Sequence, residues 1–127
     1  MIRLRELYKC DVCGNVVEVV YAGVPALVCC GKSMKKLEAY TEDAGKEKHV
    51  PIVENSGGEI KVKVGSIEHP MEENHYIAFI EVLTKDYVLR KELKAGEKPE
   101  GQFRIQKGET VEVRAYCNLH GLWKSKE

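Results

Sequence analysis

The sequence predicts an all-β protein, with a small metal-stapled unit followed by a β-sandwich of immunoglobulin-like type. Three observations carry this prediction. Four of the five cysteines fall within the first thirty residues, the second half is a series of short strand-like runs separated by turn residues, and no stretch has the period of a long helix. The division that follows is 1–36 for the cysteine unit, 37–48 for a linker and 49–127 for the sandwich.

In the first unit, Cys10-x2-Cys13 is followed after fifteen residues by Cys29-Cys30. In a reducing compartment thiols stay free unless they bind metal or do redox work, so this spacing reads as a four-thiolate site for zinc or iron. Two disulfides, or ordinary buried cysteines, are the alternative. A usual zinc ribbon ends in a second C-x2-C, whereas here the second pair is adjacent. Neighbouring side chains on a strand point to opposite faces, so both sulfurs reach one metal only where the backbone bends sharply, and Gly31 supplies that freedom. Residues 1–36 are too few to bury a stable core alone, which is why the unit needs a staple. Val16, Val17, Val19, Val20 and Tyr21, followed by residues 26–28, are expected to form a hairpin around Gly23 and Pro25.

From Leu37 to Lys48 the chain turns polar, LEAYTEDAGKEK, and loses its apolar alternation, as a linker does. Strand-like runs follow at 50–53, 59–64, 76–83, 87–93, 102–105 and 110–116. Asn55-Ser56-Gly57-Gly58, Thr84-Lys85-Asp86 and the stretch 94–101, with Gly96 and Pro99, punctuate them. IKVKV and TVEVRAY alternate apolar and polar residues, as half-buried antiparallel strands do. Short strands at this spacing fit an immunoglobulin-like sandwich lacking the cysteine–tryptophan hallmark of antibody domains.

Composition narrows the function. The 127 residues carry 20 Lys and Arg against 20 Asp and Glu, so there is no dominant basic field for nucleic acid or an anionic membrane, and any electrostatic role is local. Apolar runs such as 76–80 are far shorter than a bilayer span. MIRLRELYKC has no apolar signal core and no small-residue cleavage site, so the expected location is cytoplasmic.

All four histidines lie in the second half, His49, His69, His75 and His120, together with the one remaining cysteine, Cys117. His49 heads a strand, His69 and His75 bracket the loop HPMEENH, and Cys117 and His120 close the last strand-like run. A single exposed histidine is usually a surface residue. Four imidazoles and one thiolate, with none to spare, instead suit a borderline metal such as iron, because zinc normally stops at four ligands. Five protein ligands would leave one octahedral position open for a small oxygen species.

With those residues in view, the chain resembles the desulfoferrodoxins, the two-iron form of superoxide reductase. Cys10-x2-Cys13 with Cys29-Cys30 is similar to the desulforedoxin-type centre, a rubredoxin-like tetrahedral iron. EKHVP at 47–51, HPMEENHY at 69–76 and YCNLHGLW at 116–123 are similar to the family's catalytic motifs. The resemblance implies two irons per chain, the second held by equatorial His49, His69, His75 and His120 with Cys117 axial. It implies that Lys48 assists the incoming anion and that Glu47 can close over the oxidised iron. Phe79 stands where a tryptophan is common in the family. The implied activity is one-electron reduction of superoxide to hydrogen peroxide, with a rubredoxin-type donor and a homodimeric state. The competing readings are a non-catalytic iron electron carrier and a zinc-stabilised binding module.

Overall fold

The computed structural model describes residues 1–43, 48–105 and 107–125. It divides between Glu38 and Ala39 into two compact units. Among the described residues the only helical segment is a 3-10 turn at Lys107–Glu109, and no helix is long and apolar enough to cross a membrane.

The smaller unit holds β1 (Leu7–Lys9), β2 (Val16–Glu18), β3 (Val28–Cys29), β4 (Lys32–Ser33) and β5 (Lys35–Lys36). β1 is central, with β2 and β5 antiparallel on either side, and β3 pairs with β4 as a separate hairpin. The expected hairpin between 16–21 and 26–28 does not form. Val16–Glu18 pairs instead with Leu7–Lys9 across the tight Cys10–Asn15 turn, and Val28–Cys29 pairs with Lys32–Ser33 across two residues. Short loops close at the least entropic cost, and both turns are built around cysteines, so local closure outcompetes the longer connection through Gly23 and Pro25. Val20, Tyr21 and Val28, which helped carry the hairpin reading, lie exposed.

Only Leu7, Cys10 and Val19 of this unit are buried, too little apolar mass to hold it closed. Polar ties add order. Glu6 accepts from the Arg3 N–H at 2.8 Å and the Tyr8 hydroxyl at 3.0 Å, and pairs with Lys36 Nζ at 2.9 Å. The Lys36 ammonium first, then the Arg3 N–H, hold its carboxyl down to about 2.

In the larger unit β6 (Pro51–Ser56), β7 (Glu59–Val64) and β10 (Glu100–Phe103) form one antiparallel sheet. The strands β8 (Ile77–Thr84), β9 (Val88–Glu92), β11 (Thr110–Cys117) and β12 (Gly121–Lys124) form the other, in the order β12-β11-β8-β9. The alternation in IKVKV is realised: Ile60, Val62 and Val64 point inward and pack with Ile80, Val82, Val113, Ala115 and Phe103 from the facing sheet and β10, making a β-sandwich. Lys61 and Lys63 point outward, where they pair with Glu100 and Glu54. Strand β12 carries no alternation that the sequence could reveal. Of the segment read as a linker, residues 39–43 go with this unit: Tyr40 donates to the Leu122 carbonyl, accepts from the Lys124 N–H, and bridges Trp123 in parallel.

The outward face of the four-stranded sheet carries a buried ion pair. Glu81 and Arg114 sit opposite each other across β8 and β11, and the Arg114 Nε–H donates to Glu81 Oε1 at 2.7 Å. Arg90, opposite Glu81 on β9, reaches Oε2 at 3.2 Å. Glu81 is 1% and Arg114 6% exposed by side chain, against 43% for Arg90, so the two arginines differ in what they contribute. Glu81→Ala removes the carboxylate that buried Arg114 faces and is expected to cost about 3 kcal/mol of stability in the larger unit. Arg90→Ala should cost less than about 1 kcal/mol, because its pair is solvent-screened. Chemical denaturation of the two variants checks the ordering, and equal losses would contradict it.

Candidate metal centres

In the smaller unit the chain builds a knuckle at Cys10. The Cys10 N–H donates to the Asn15 carbonyl and its own carbonyl accepts from Gly14 N–H, both at 2.9 Å, while Gly14 takes a φ of 82° to turn the chain back. That turn brings the Cys13 N–H to within 3.5 Å of Cys10 Sγ. The adjacent pair is solved by a two-residue hairpin. Cys30 and Gly31 have φ of 53° and 74°, both left-handed, as the favoured β-hairpin turn requires at its two central positions. Cys30 thus occupies a turn position usually given to asparagine or glycine, and its sulfur swings to 3.9 Å from Cys29 Sγ. Cys29 Sγ in turn lies 3.6 Å from Cys13 Sγ. All four sulfurs lie within 4.8 Å of one another, none in a disulfide.

Sulfurs this close cannot all ionise without a cation. The Cys13 N–H pulls the Cys10 thiol down to about 6, whereas contact with the Cys13 sulfur, then with Cys10 and Cys30, pushes Cys29 up to about 12. A divalent or trivalent metal removes that conflict, since a coordinating thiol is deprotonated outright. The donor set therefore fits a tetrahedral thiolate metal, zinc or iron.

At one end of the sandwich, His49, His69, His75, His120 and Cys117 converge, with one ligand atom from each within 4.8 Å of all the others. Strand registers explain why. Pro51 pairs with Val64, Cys117 with Ile77 and again with Gly121, so the start of β6, the β7–β8 loop and the β11–β12 turn meet at that end. His49 Nε2 and His120 Nδ1 face each other at 3.2 Å, and Cys117 Sγ lies 3.8 Å from His120 Nδ1. The sulfur is buried and accepts from the His120 N–H at 3.4 Å. His49 and His69 are buried, His75 half-buried and His120 exposed, so the cluster opens to solvent on one side.

The ring of His69 is oriented by its neighbour. A carbonyl can only accept, so Nδ1–H donates to the Pro70 carbonyl at 2.7 Å and the Nε2 lone pair is left facing the cluster. That Nε2 and His75 Nε2 are buried without a hydrogen bond, although both residues make other contacts, and His49 faces the cluster through the Nε2 that lies beside His120 Nδ1. Buried lone pairs that face one another fit a cation between them.

Several supporting residues escaped the sequence reading. Asp43, inside the segment read as linker, accepts from the His49 and Val50 backbone N–H groups and pins the start of β6. Gly65, at φ 91°, lies so close to the Lys48 and Ile67 carbonyls that a Cβ there would collide with both. Trp123 stacks on His49, ring centroids 4.5 Å apart and planes 14° off parallel, and its Nε1–H donates to the His120 carbonyl at 3.1 Å. Phe79 stacks on Tyr116 at 5.6 Å, and neither ring is a donor in the cluster. Lys48 is half-buried immediately before His49, and Glu47 lies outside the described residues. An aspartate followed by an apolar strand start, and a glycine ending an alternating strand, were the available signals for Asp43 and Gly65.

A four-thiolate knuckle on one unit and four imidazoles with one thiolate at the end of a β-sandwich define a non-haem metalloprotein with two centres. The comparisons narrow this class. The family model described as desulfoferrodoxin matches residues 41–126, and that for the desulfoferrodoxin N-terminal domain matches 3–37. The chain belongs to the desulfoferrodoxin family. It is 54% identical over 125 residues to a desulfoferrodoxin homologue of Archaeoglobus fulgidus, spanning 98% of this chain and 99% of the relative. Among solved structures it is similar to the superoxide reductase of Treponema pallidum, at 32% identity and a TM-score of 0.78 over 95% of this chain and 97% of that one. The one-iron superoxide reductase of Giardia intestinalis matches 62% of this chain and 95% of its own, at 34% identity and a TM-score of 0.52. Both donor sets fit iron, so the chain has places for two irons.

Cys13→Ser should abolish metal retention in the smaller unit and destabilise it, because so few of its side chains are buried, and leave the larger unit's metal in place. Metal analysis is expected to read one per chain instead of two, and loss of both would show that the centres are not independent.

Proposed function

We propose that the protein is a superoxide reductase, reducing superoxide by one electron and two protons to hydrogen peroxide without forming dioxygen. The observation that carries the reading is the convergence of His49, His69, His75, His120 and Cys117 at one solvent-facing end of the sandwich. The relation to solved superoxide reductases supports it. In this reading Cys10, Cys13, Cys29 and Cys30 hold the first iron, and the four histidines with Cys117 hold the second. When bound, a ferrous ion in the second set supplies the electron and, with five protein ligands, a vacant position for a small oxygen anion.

The chain's own residues divide the remaining work. Pro70 holds His69 in the tautomer that points Nε2 inward, and Trp123 covers the face of His49, so both rings are oriented before metal arrives. Burial at its strand end shields the Cys117 sulfur from solvent, and the His120 N–H donates to it and steadies it as a donor toward the cluster. Lys48, beside His49, provides local positive charge in a protein whose formal net charge is zero, and draws the anion to the exposed side of the cluster. Glu47 is assigned, on the family motif alone, to closing the site after turnover. The electron donor in this reading is a rubredoxin-type protein, the location cytoplasmic and the oligomer a homodimer.

Rapid mixing of the reduced protein with superoxide is expected to give second-order decay and one peroxide per iron oxidised. Azide or cyanide should perturb the spectrum of the histidine site. Indifference to both anions, with no faster superoxide decay, would favour a closed electron carrier. Cys117→Ser keeps the size and removes the soft donor, so the sulfur-to-iron colour of the histidine site should vanish, that of the four-cysteine centre remain, and superoxide reduction fall severely. Full activity in that variant would remove Cys117 from the ligand set.

Lys48→Ala should slow the encounter about tenfold, equivalent to about 1.4 kcal/mol, and flatten its decline with added salt. Pulse measurements across ionic strength check this, and an unchanged rate and salt slope would take the lysine out of the mechanism.

A further inference from the structure

The β7–β8 loop supplies His69 and His75, and the β11–β12 turn follows Cys117 and supplies His120. One side chain joins the two. Asn118 Oδ1 accepts from the Tyr76 N–H at 2.9 Å, and its Nδ2 donates to the Asn74 carbonyl at 3.0 Å. Its own backbone N–H donates to the Tyr76 carbonyl at 3.2 Å. The three bonds grip the residues on either side of His75.

Two features set this apart from ordinary turn bonding. Asparagine in a turn commonly bonds to its own backbone a residue or two away, whereas here the amide reaches 42 and 44 positions back along the chain. The β8–β11 ladder also becomes irregular between Tyr116 and Cys117, and its last pair is Cys117 with Ile77. One residue beyond that end, Asn118 continues the pairing with its side chain, its amide replacing a backbone peptide. Both amide ends are needed, because a backbone N–H requires an acceptor and a carbonyl requires a donor.

We propose that Asn118 is a positioning residue that fixes the direction of His75 relative to the Cys117 thiolate and so sets the ligand field and retention of the metal in the larger unit. His75 is bridged to Glu72 by two backbone hydrogen bonds within its own loop, at 2.9 and 3.1 Å, but that bridge does not reach the Cys117 strand, and the nearest pair that does is two residues away at Ile77. A 69–76 loop free to drift would present His75 over a range of directions, and the metal would be held by a less uniform set.

The inference rests on iron occupying the four-histidine, one-cysteine set, which is tested first. If the wild-type full chain shows no sulfur-to-iron band beyond that of the four-cysteine centre, the metal reading fails by itself. Given iron in that site, Asn118→Ala is expected to broaden the high-spin ferric EPR signal of the histidine site. The same variant should shift its sulfur-to-iron band and release that iron to a ferrous chelator about tenfold faster. Signals of the four-cysteine centre should stay unchanged and serve as a folding control. Asn118→Asp keeps the acceptor for Tyr76 and loses the donor to Asn74, so its release rate should fall between wild type and Asn118→Ala. A purely structural role would lower the unfolding temperature and leave the EPR line shape of folded protein unaltered. Wild-type line shape, band and release rate in folded Asn118→Ala would overturn the proposal, as would wild-type behaviour of Asn118→Asp if the alanine variant does not fold.

Discussion

Donor atoms turned toward one another at close range are the constraint on which this structure depends. Four sulfurs within 4.8 Å in one unit, and four imidazoles with a fifth sulfur in the other, repel as lone pairs and thiolates unless positive charge lies between them. The two units answer that constraint with unequal means. The smaller has three buried side chains, too few to hold its shape by packing alone. The larger has an eleven-residue apolar core spanning both sheets, so its fold can hold the donors in place before any metal binds.

That difference shows in how the donors are presented. In the smaller unit they sit on turns whose own geometry is the site: the left-handed Cys30-Gly31 pair and the Cys10 knuckle would lose their purpose without the metal. In the larger unit the donors sit at strand ends, and a second layer of contacts orients them. The Pro70 carbonyl fixes a tautomer, Trp123 covers a ring, Asp43 holds the backbone of His49, and Gly65 lets the Lys48 carbonyl come close. Such outer contacts are commonly as important to metal affinity as the ligands.

The sandwich also separates stability from reactivity. The Glu81–Arg114 pair and the core beneath it lie along the middle of the strands, whereas the donor cluster occupies their ends, where loops can vary without disturbing the sheets. Ala115 and Cys117 lie on the same inward row of β11, so the strand that fills the core also delivers the sulfur.

The all-β class, the sandwich alternation and the nine cysteines and histidines that converge in two clusters are legible in the sequence, because each leaves a local mark. Period two in IKVKV reports a half-buried strand, and clustered cysteines and histidines report ligand chemistry wherever the chain later carries them. The sequence misassigned the pairing in the smaller unit, since strands of two or three residues carry no periodicity and Val20, Tyr21 and Val28 are apolar yet exposed. The roles of Asp43, Gly65, Asn118 and Trp123 were decided only by tertiary structure. Each acts on a residue brought near by sheet register, in the case of Asn118 across 42 and 44 positions, and a distance of that kind exists only once the two sheets have closed on their common core.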